Sequence, residues 1–292
     1  MMRNKSISNP IKVVTSIKKM KEVSETFRQQ NLSIGFVPTM GCLHEGHLSL
    51  IKNSLETCDR TLVSIFVNPP QFGPNEDLNT YPRQLKSDIK KLEDAGVDIL
   101  FHPTSKEMYP SGFNTHIEVK NITRHLCGKS RPNLFKGVAK VVLKLFNIVQ
   151  PEKAFFGEKD WQQLSVIESL VTDLNLDVAI IRVPIVREPD GLAMSSRNCF
   201  LSPRERQAAS CLYNSLVKAK DMIYHKTTST EVILDSMKKI ISEQEGTTID
   251  YVTICDPENF EEKKKICGRI LIALAVKIGP SRLIDNCIVE KL

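Results

Sequence analysis

Residues 33–67 read SIGFVPTMGCLHEGHLSLIKNSLETCDRTLVSIFV, and the spacing of their apolar positions decides the fold. Ser33 to Pro38 is a short β-rich run, Leu48, Ile51 and Leu55 recur at helical spacing, and Thr61 to Val67 suits a strand covered on both faces. Strand, helix and strand in that order make a βαβ unit, the repeating piece of a parallel sheet. The pattern continues outward: a helix over Leu85–Ala95, a strand over Val97–Phe101, a strand over Ala154–Phe156, a helix over Trp161–Val171 and a strand over Asp177–Val183. Between them Val138, Val141, Val142, Leu145, Ile148 and Val149 form an i, i+3, i+4, i+7 stripe that reads as core. Residues 1–184 are therefore expected to form an α/β, doubly wound sheet.

Beyond Pro184 the character changes. Long helical segments near 203–224 and 229–243 precede β-rich segments at Ile249–Cys255, Arg269–Lys277 and Arg282–Val289, so residues 185–292 are expected to form a smaller α+β domain. Ser202, Pro203 and Glu205 supply an N-cap, an N1 proline and an N3 glutamate for the first of those helices.

Bulk properties exclude several classes of protein. With 292 residues, 25% charged and 41% hydrophobic, the chain can bury a proper core and is far from a disordered composition. Its net charge of +6 is a small difference between 40 basic and 34 acidic residues that are interspersed, so neither nucleic-acid binding nor a membrane surface is implied. The eight cysteines include no CxxC pair, no secretory leader precedes them, and no uninterrupted apolar run is long enough for a membrane span. Free thiols in a cytoplasmic enzyme are the expectation; five Lys or Arg and no acid among residues 1–20 leave an organellar leader as the alternative.

Four segments carry the chemistry. Met40-Gly41-Cys42-Leu43-His44-Glu45-Gly46-His47 lies between the first strand and its helix, where an open α/β sheet binds ligands and a helix N-terminus presents unpaired N–H groups to an anion. Cys42, His44 and His47 could also be imagined as zinc ligands, but HEGH is one residue short of the HExxH spacing and no nearby residue completes a set. Asn68 and Gln71 open a loop running to Arg83, with amides suited to the oxygens of a small polar ligand; plain turn chemistry is the alternative. Gly157-Glu158-Lys159-Asp160 again crosses from strand to helix, with Lys159 as a point charge for phosphate and Asp160 with Gln163 as a possible capping box. Met194-Ser195-Ser196-Arg197 joins hydroxyls to a guanidinium fork at the domain boundary.

Together these segments resemble the pantothenate synthetase (pantoate–β-alanine ligase) family of the HxGH-type nucleotidyltransferases. That family carries V-P-T-M-G-x-L-H-x-G-H, F-V-N-P-x-Q-F running on to E-D-x-x-x-Y-P-R, F-G-x-K-D-x-Q-Q, and D-G-L-A-x-S-S-R-N, matched in order by residues 37–47, 66–83, 156–163 and 190–198. The resemblance implies a Rossmann-like N-terminal domain, a C-terminal lid domain and a homodimer. It further implies ATP, with Mg2+, held by Met40 to His47, Gly157 to Asp160, Val186 and Met194 to Arg197. Pantoate would be held by Gln71 and Gln163 with Asn68 beside them, and β-alanine would be the second substrate. His47, His44 and Lys159 are the residues it implicates in catalysis. Three positions depart from the pattern: Leu134 stands for the usual His, Phe200 for Tyr, and Trp161 for Tyr or Phe. The rival readings are another HxGH nucleotidyltransferase and a non-catalytic nucleotide-binding protein of the same fold.

Overall fold

A computed structural model describes residues 10–74 and 76–291. Residues 1–9, part of the basic stretch that offers an organellar leader as the alternative, lie outside them. Along the chain come β1 (Lys12–Val14), α1 (Ile17–Gln29), β2 (Ile34–Thr39), α2 (Glu45–Thr57), β3 (Arg60–Ile65), α3 (Leu85–Ala95), β4 (Ile99–Phe101), α4 (Ser105–Met108), α5 (Leu126–Ser130) and α6 (Leu134–Val149). Then follow β5 (Lys153–Gly157), α7 (Trp161–Asp173), β6 (Ala179–Val183), α8 (Pro203–Tyr224), α9 (Thr230–Ser242), β7 (Thr247–Cys255), β8 (Gly268–Ile278) and β9 (Ser281–Lys291). They cluster into two compact units, the first made of residues through Val119, Asn133–Gly157 and Val166–Val183, the second of Lys120–Pro132, Glu158–Ser165 and the chain from Pro184 onward.

The first unit holds a six-stranded sheet in the order β1-β4-β3-β2-β5-β6, parallel at every pairing. From β2 the chain steps through β3 to β4 on one side, then resumes at β5 on the other side of β2. The topological switch point therefore lies between β2 and β5, whose carboxyl ends are Thr39 and Gly157. Val37, Val63, Leu100 and Phe155 are fully buried in its core with Ile51 of α2 and Leu92 of α3. The stripe on α6 is buried along its length, as its periodicity required. β1 and α1 lack an equivalent signal in the sequence: α1 buries only Met20, Val23 and Ser24 among lysines and glutamates, and its start is fixed by Ser16 Oγ accepting from Lys19 N.

The second unit contains an antiparallel meander, β7-β8-β9. Ile270, Ile272, Leu274, Val276 and Ile278 alternate along β8, and pack against Leu212, Leu216 and Ile223 of α8 and Ile233, Met237 and Ile241 of α9. α8 begins with the reciprocal box its sequence announces, Ser202 Oγ accepting from Glu205 N at 3.4 Å and Glu205 Oε2 from Ser202 N at 2.7 Å. The parallel α/β sheet and the smaller α+β part agree with the fold class read from the sequence. None of the described helices is long and apolar enough to cross a membrane.

Candidate active site

The turn after β2 is built from its own residues upward. Thr39 ends the strand with its hydroxyl donating to Ser64 O at 2.8 Å and accepting from Gly41 N at 3.2 Å. Gly41 and Cys42 then take left-handed φ values of 83° and 51°, and a Cβ on Gly41 would come within 3.0 Å of both Ile65 and Asp88. His44 is the N-cap of α2. Its Nδ1 accepts from Gly46 N at 3.1 Å, while its own N–H donates to Nδ1 of His47 at 3.3 Å. The two histidines thus form the reciprocal cap that a Ser and a Glu form on α8, with ring centroids 4.1 Å apart. An imidazole nitrogen that accepts carries no proton, so in this arrangement Nε2 is the nitrogen of each ring that can carry one.

Three N–H groups around this helix start are engaged by side chains. Cys42 N and Leu43 N donate to the two carboxylate oxygens of Asp88 at 2.9 and 2.8 Å, and Gly46 N is taken by His44. Asp88, in the first turn of α3, is itself 1% exposed. What this turn brings to an anion is the positive end of α2 and two imidazoles held at it. Among the described residues no three His, Cys, Asp or Glu side chains gather in a way that could hold a metal ion.

At the carboxyl end of β3, Asn68 and Gln71 are both buried. Asn68 Nδ2 donates to Gln71 Oε1 at 3.2 Å and to Gly137 O at 3.1 Å, while its Oδ1 accepts from the Tyr109 hydroxyl at 2.7 Å. Gln71 Nε2 points to Met40 Sδ at 2.8 Å. Burial pushes the pKa of Tyr109 above the ordinary phenol range, which keeps it a donor. The loop that looked structureless after Asn68 contains a 3-10 turn at Pro69–Gln71, and Gly137 of α6 lets that turn approach the helix closely.

In the second unit Glu158–Asp160 form a 3-10 turn leading directly into α7, in place of a capped helix start at Asp160. Asn286 Nδ2 donates to the carbonyls of Glu158 and Lys159 at 3.1 and 2.8 Å. Lys159 Nζ lies 3.5 Å from Asp160 Oδ2. Next to Asn286, the buried carboxylate of Asp285 is gripped by Arg187 at 2.7 and 2.9 Å, and Arg187 stacks on the Tyr213 ring. Burial pushes the Asp285 carboxyl above its usual range against the pull of Arg187. The adjacent glutamines divide. Gln162 holds Cys127 N and the carbonyls of Ile122 and His125, whereas Gln163 is only half-buried.

Val186 and Met194 face each other across a narrow loop, Met194 N donating to Val186 O at 3.0 Å. Gly191 turns that loop at φ 90°, where a Cβ would strike the Tyr213 ring. Ser195 Oγ accepts from Arg197 N and caps a 3-10 turn over Ser196–Phe200, and Ser281 Oγ donates to Arg197 O. Of the departures, Trp161 uses its indole N–H on Pro257 O at 3.0 Å; Leu134 opens α6 half-buried, and Phe200 is 36% exposed.

Asp88, Tyr109, Gly137 and Asn286 escape a reading of the sequence. Only Asp285 beside Asn286 leaves a trace there, an acid at an inward-facing position of β9 between Leu283 and Val289.

Comparison with known proteins bears on the family and the fold. The family description "Pantoate-beta-alanine ligase" matches residues 12–288. A pantothenate synthetase of Caldicellulosiruptor bescii is 53% identical over 278 residues, covering 95% of this chain and 99% of that one. The crystal structure of pantothenate synthetase from Thermus thermophilus superposes with a TM-score of 0.90 at 39% identity, covering 95% and 99% of the two chains. That of a Francisella tularensis pantoate–β-alanine ligase complexed with β,γ-ATP and β-alanine does so with a TM-score of 0.79 at 39% identity, covering 95% and 97%. With its four motifs in place on that fold, the chain belongs to the pantoate–β-alanine ligase family.

Proposed function

We propose that the chain carries out its family's reaction and that the self-capped pair His44 and His47 is the centre of it. Pantoate and β-alanine are joined to pantothenate at the expense of ATP. A pantoate carboxylate oxygen attacks the α-phosphorus and pyrophosphate leaves; the β-alanine amine then attacks the acyl carbon of the pantoyl adenylate, loses a proton, and AMP leaves. A carboxylate is a poor electrophile, and its mixed anhydride with AMP has a good leaving group.

The observation that carries the residue assignment is the tautomer of the two histidines. Each Nδ1 accepts a backbone N–H, which leaves Nε2 of each ring as the donor nitrogen, fixed in direction at the positive end of α2. Such donors serve the charge that develops on phosphate oxygens, where positioning and electrostatics supply most of the rate. Lys159 is assigned to the same work. ATP is assigned to Met40–His47, Gly157–Asp160, Val186 and Met194–Arg197, with Arg197 and Lys159 countering pyrophosphate charge. Gln71 and Gln163 are assigned to pantoate, and Asn68 acts there by holding Gln71. Mg2+ would enter with the nucleotide and would offset charge on its phosphates beside Lys159 and Arg197. The homodimer, the cytoplasmic location and the division at 184/185 into a nucleotide-binding domain and a lid belong to the same proposal.

Pantoate-dependent exchange of pyrophosphate into ATP, followed by β-alanine-dependent AMP release with the product identified by mass, tests it. Exchange is expected with pantoate alone and pantothenate only when both substrates are present. Exchange with neither pantoate nor a close hydroxy acid would overturn the reading.

A further inference from the structure

Amide groups have two ends of similar shape and opposite chemistry, so the orientation of Gln71 decides what it can recognise. Here the orientation follows from groups that have no choice. The carbonyl of Gly137 can only accept, so the Asn68 group 3.1 Å from it is the Nδ2 amine. Oδ1 of Asn68 therefore faces Tyr109, whose hydroxyl must donate across 2.7 Å. The second Nδ2 hydrogen goes to the Gln71 atom 3.2 Å away, which must then be Oε1. Gln71 is left with Nε2 turned toward Met40, whose thioether is a weak acceptor that can take at most one of its two hydrogens.

The junction is also fixed sterically. A Cβ on Gly137 would lie 2.5 Å from both N and Cα of Gln71, so the helix backbone sits directly against the residue it orients. The Tyr109 ring packs edge-on to Phe113 with centroids 5.3 Å apart, and lies 6.3 Å from Phe66. Removing its hydroxyl would leave this packing in place.

We propose that Tyr109 is a positioning residue that sets substrate specificity. Acting through Asn68, it fixes Gln71 with its amide N–H2 turned away from Asn68 and toward Met40, so that the acid selected is one that offers acceptor oxygens at that point. This rests on the reading that Gln71 holds pantoate. Neither Tyr109 nor Gly137 needs to touch substrate in this arrangement.

The test is a double-mutant cycle on the full chain, Tyr109→Phe, Gln71→Ala and the pair, with KM for pantoate, KM for ATP, kcat and thermal midpoint measured for each. Tyr109→Phe is expected to raise KM for pantoate about five- to tenfold, the usual scale for one buried hydrogen bond. Its KM for ATP and its kcat at saturating pantoate stay within about twofold, since the hydroxyl reaches neither nucleotide nor reacting atoms. The pair is no worse than Gln71→Ala alone, because Tyr109 works only through Gln71. If Gln71→Ala raises KM for pantoate and Tyr109→Phe does not, the positioning inference falls while the pantoate assignment stands. Losses that add in the pair, or that follow the thermal midpoint, assign Tyr109 to the fold and overturn the inference. An unchanged KM for pantoate in Gln71→Ala removes the pantoate assignment and the inference with it.

Discussion

The two strand-to-helix turns assigned to ATP are made in opposite ways. The turn at His44–His47 is capped from within: two histidines three residues apart cap each other's backbone, and Asp88 of α3 holds the N–H groups of Cys42 and Leu43 just before them. The turn at Glu158–Asp160 has no such box. Its carbonyls are gathered by Asn286, more than a hundred residues later in the chain. A turn capped from within has the core of its geometry set locally, whereas one whose carbonyls are clamped from afar has that geometry only after a second element has folded. The first region should therefore respond to substitution in its chemistry, and the second in its affinity and stability.

The sharpest way to break this contrast is at His47. His47→Ala removes both a fixed Nε2–H donor and half of the cap, and adenylation in a rapid-quench assay is expected to fall by roughly a hundredfold or more. Near-normal turnover would show that the box is structural only, and that the two turns differ less than their geometry implies.

The next effect in size is at Asp88. Asp88→Ala leaves the buried N–H groups of Cys42 and Leu43 without their acceptor, which should cost about 3 kcal/mol in a denaturant titration. Little change would mean that water replaces the carboxylate, and that the self-capped turn needs no outside support.

At Asn286 the expected change is smaller and of another kind. Asn286→Ala releases the carbonyls of Glu158 and Lys159 and should raise KM for ATP by about three- to tenfold. Its kcat is expected to change less, as read in steady-state kinetics at saturating substrate. A loss confined to kcat would place the remote clamp in the chemistry after all.

The smallest effect tests whether exposed ion pairs near the Met194–Arg197 loop matter. Arg206 bonds both Asp190 and Glu188 and holds the Asp190 carboxyl below its usual range. A carboxyl depressed in the folded state stabilises it above the unfolded value of about 3.9, and the gain disappears as pH falls through the lower folded value. Asp190 is 41% exposed, so the gain is screened and less than about 1 kcal/mol. Thermal midpoints of the wild type and Arg206→Ala should differ slightly at pH 7 and converge in acid. A gap that persists below the carboxylate range would assign it to packing.

Legibility in the sequence follows the same division. The α6 stripe, the Ser202–Glu205 box and the buried run of β3 could be read because their causes lie within one turn or one strand. α1 could not, since it buries three side chains in an otherwise charged helix. The motif residues were found from their order and spacing, but what holds them was not. Asp88 reads as an ordinary acid near a helix start, Tyr109 as one aromatic among several, and Gly137 as a weak point in a helix.

The sequence by itself determined the parallel α/β unit, the α+β remainder and the identity of the chemical groups, because periodicity and motif spacing are local properties. Only the tertiary structure decided which nitrogen of each histidine accepts, which end of Gln71 meets Asn68, and which N–H groups around the first turn are already engaged. Those are questions of hydrogen-bond direction, and outside the histidine cap that direction is set by partners that the chain brings together from 41 to 69 residues away.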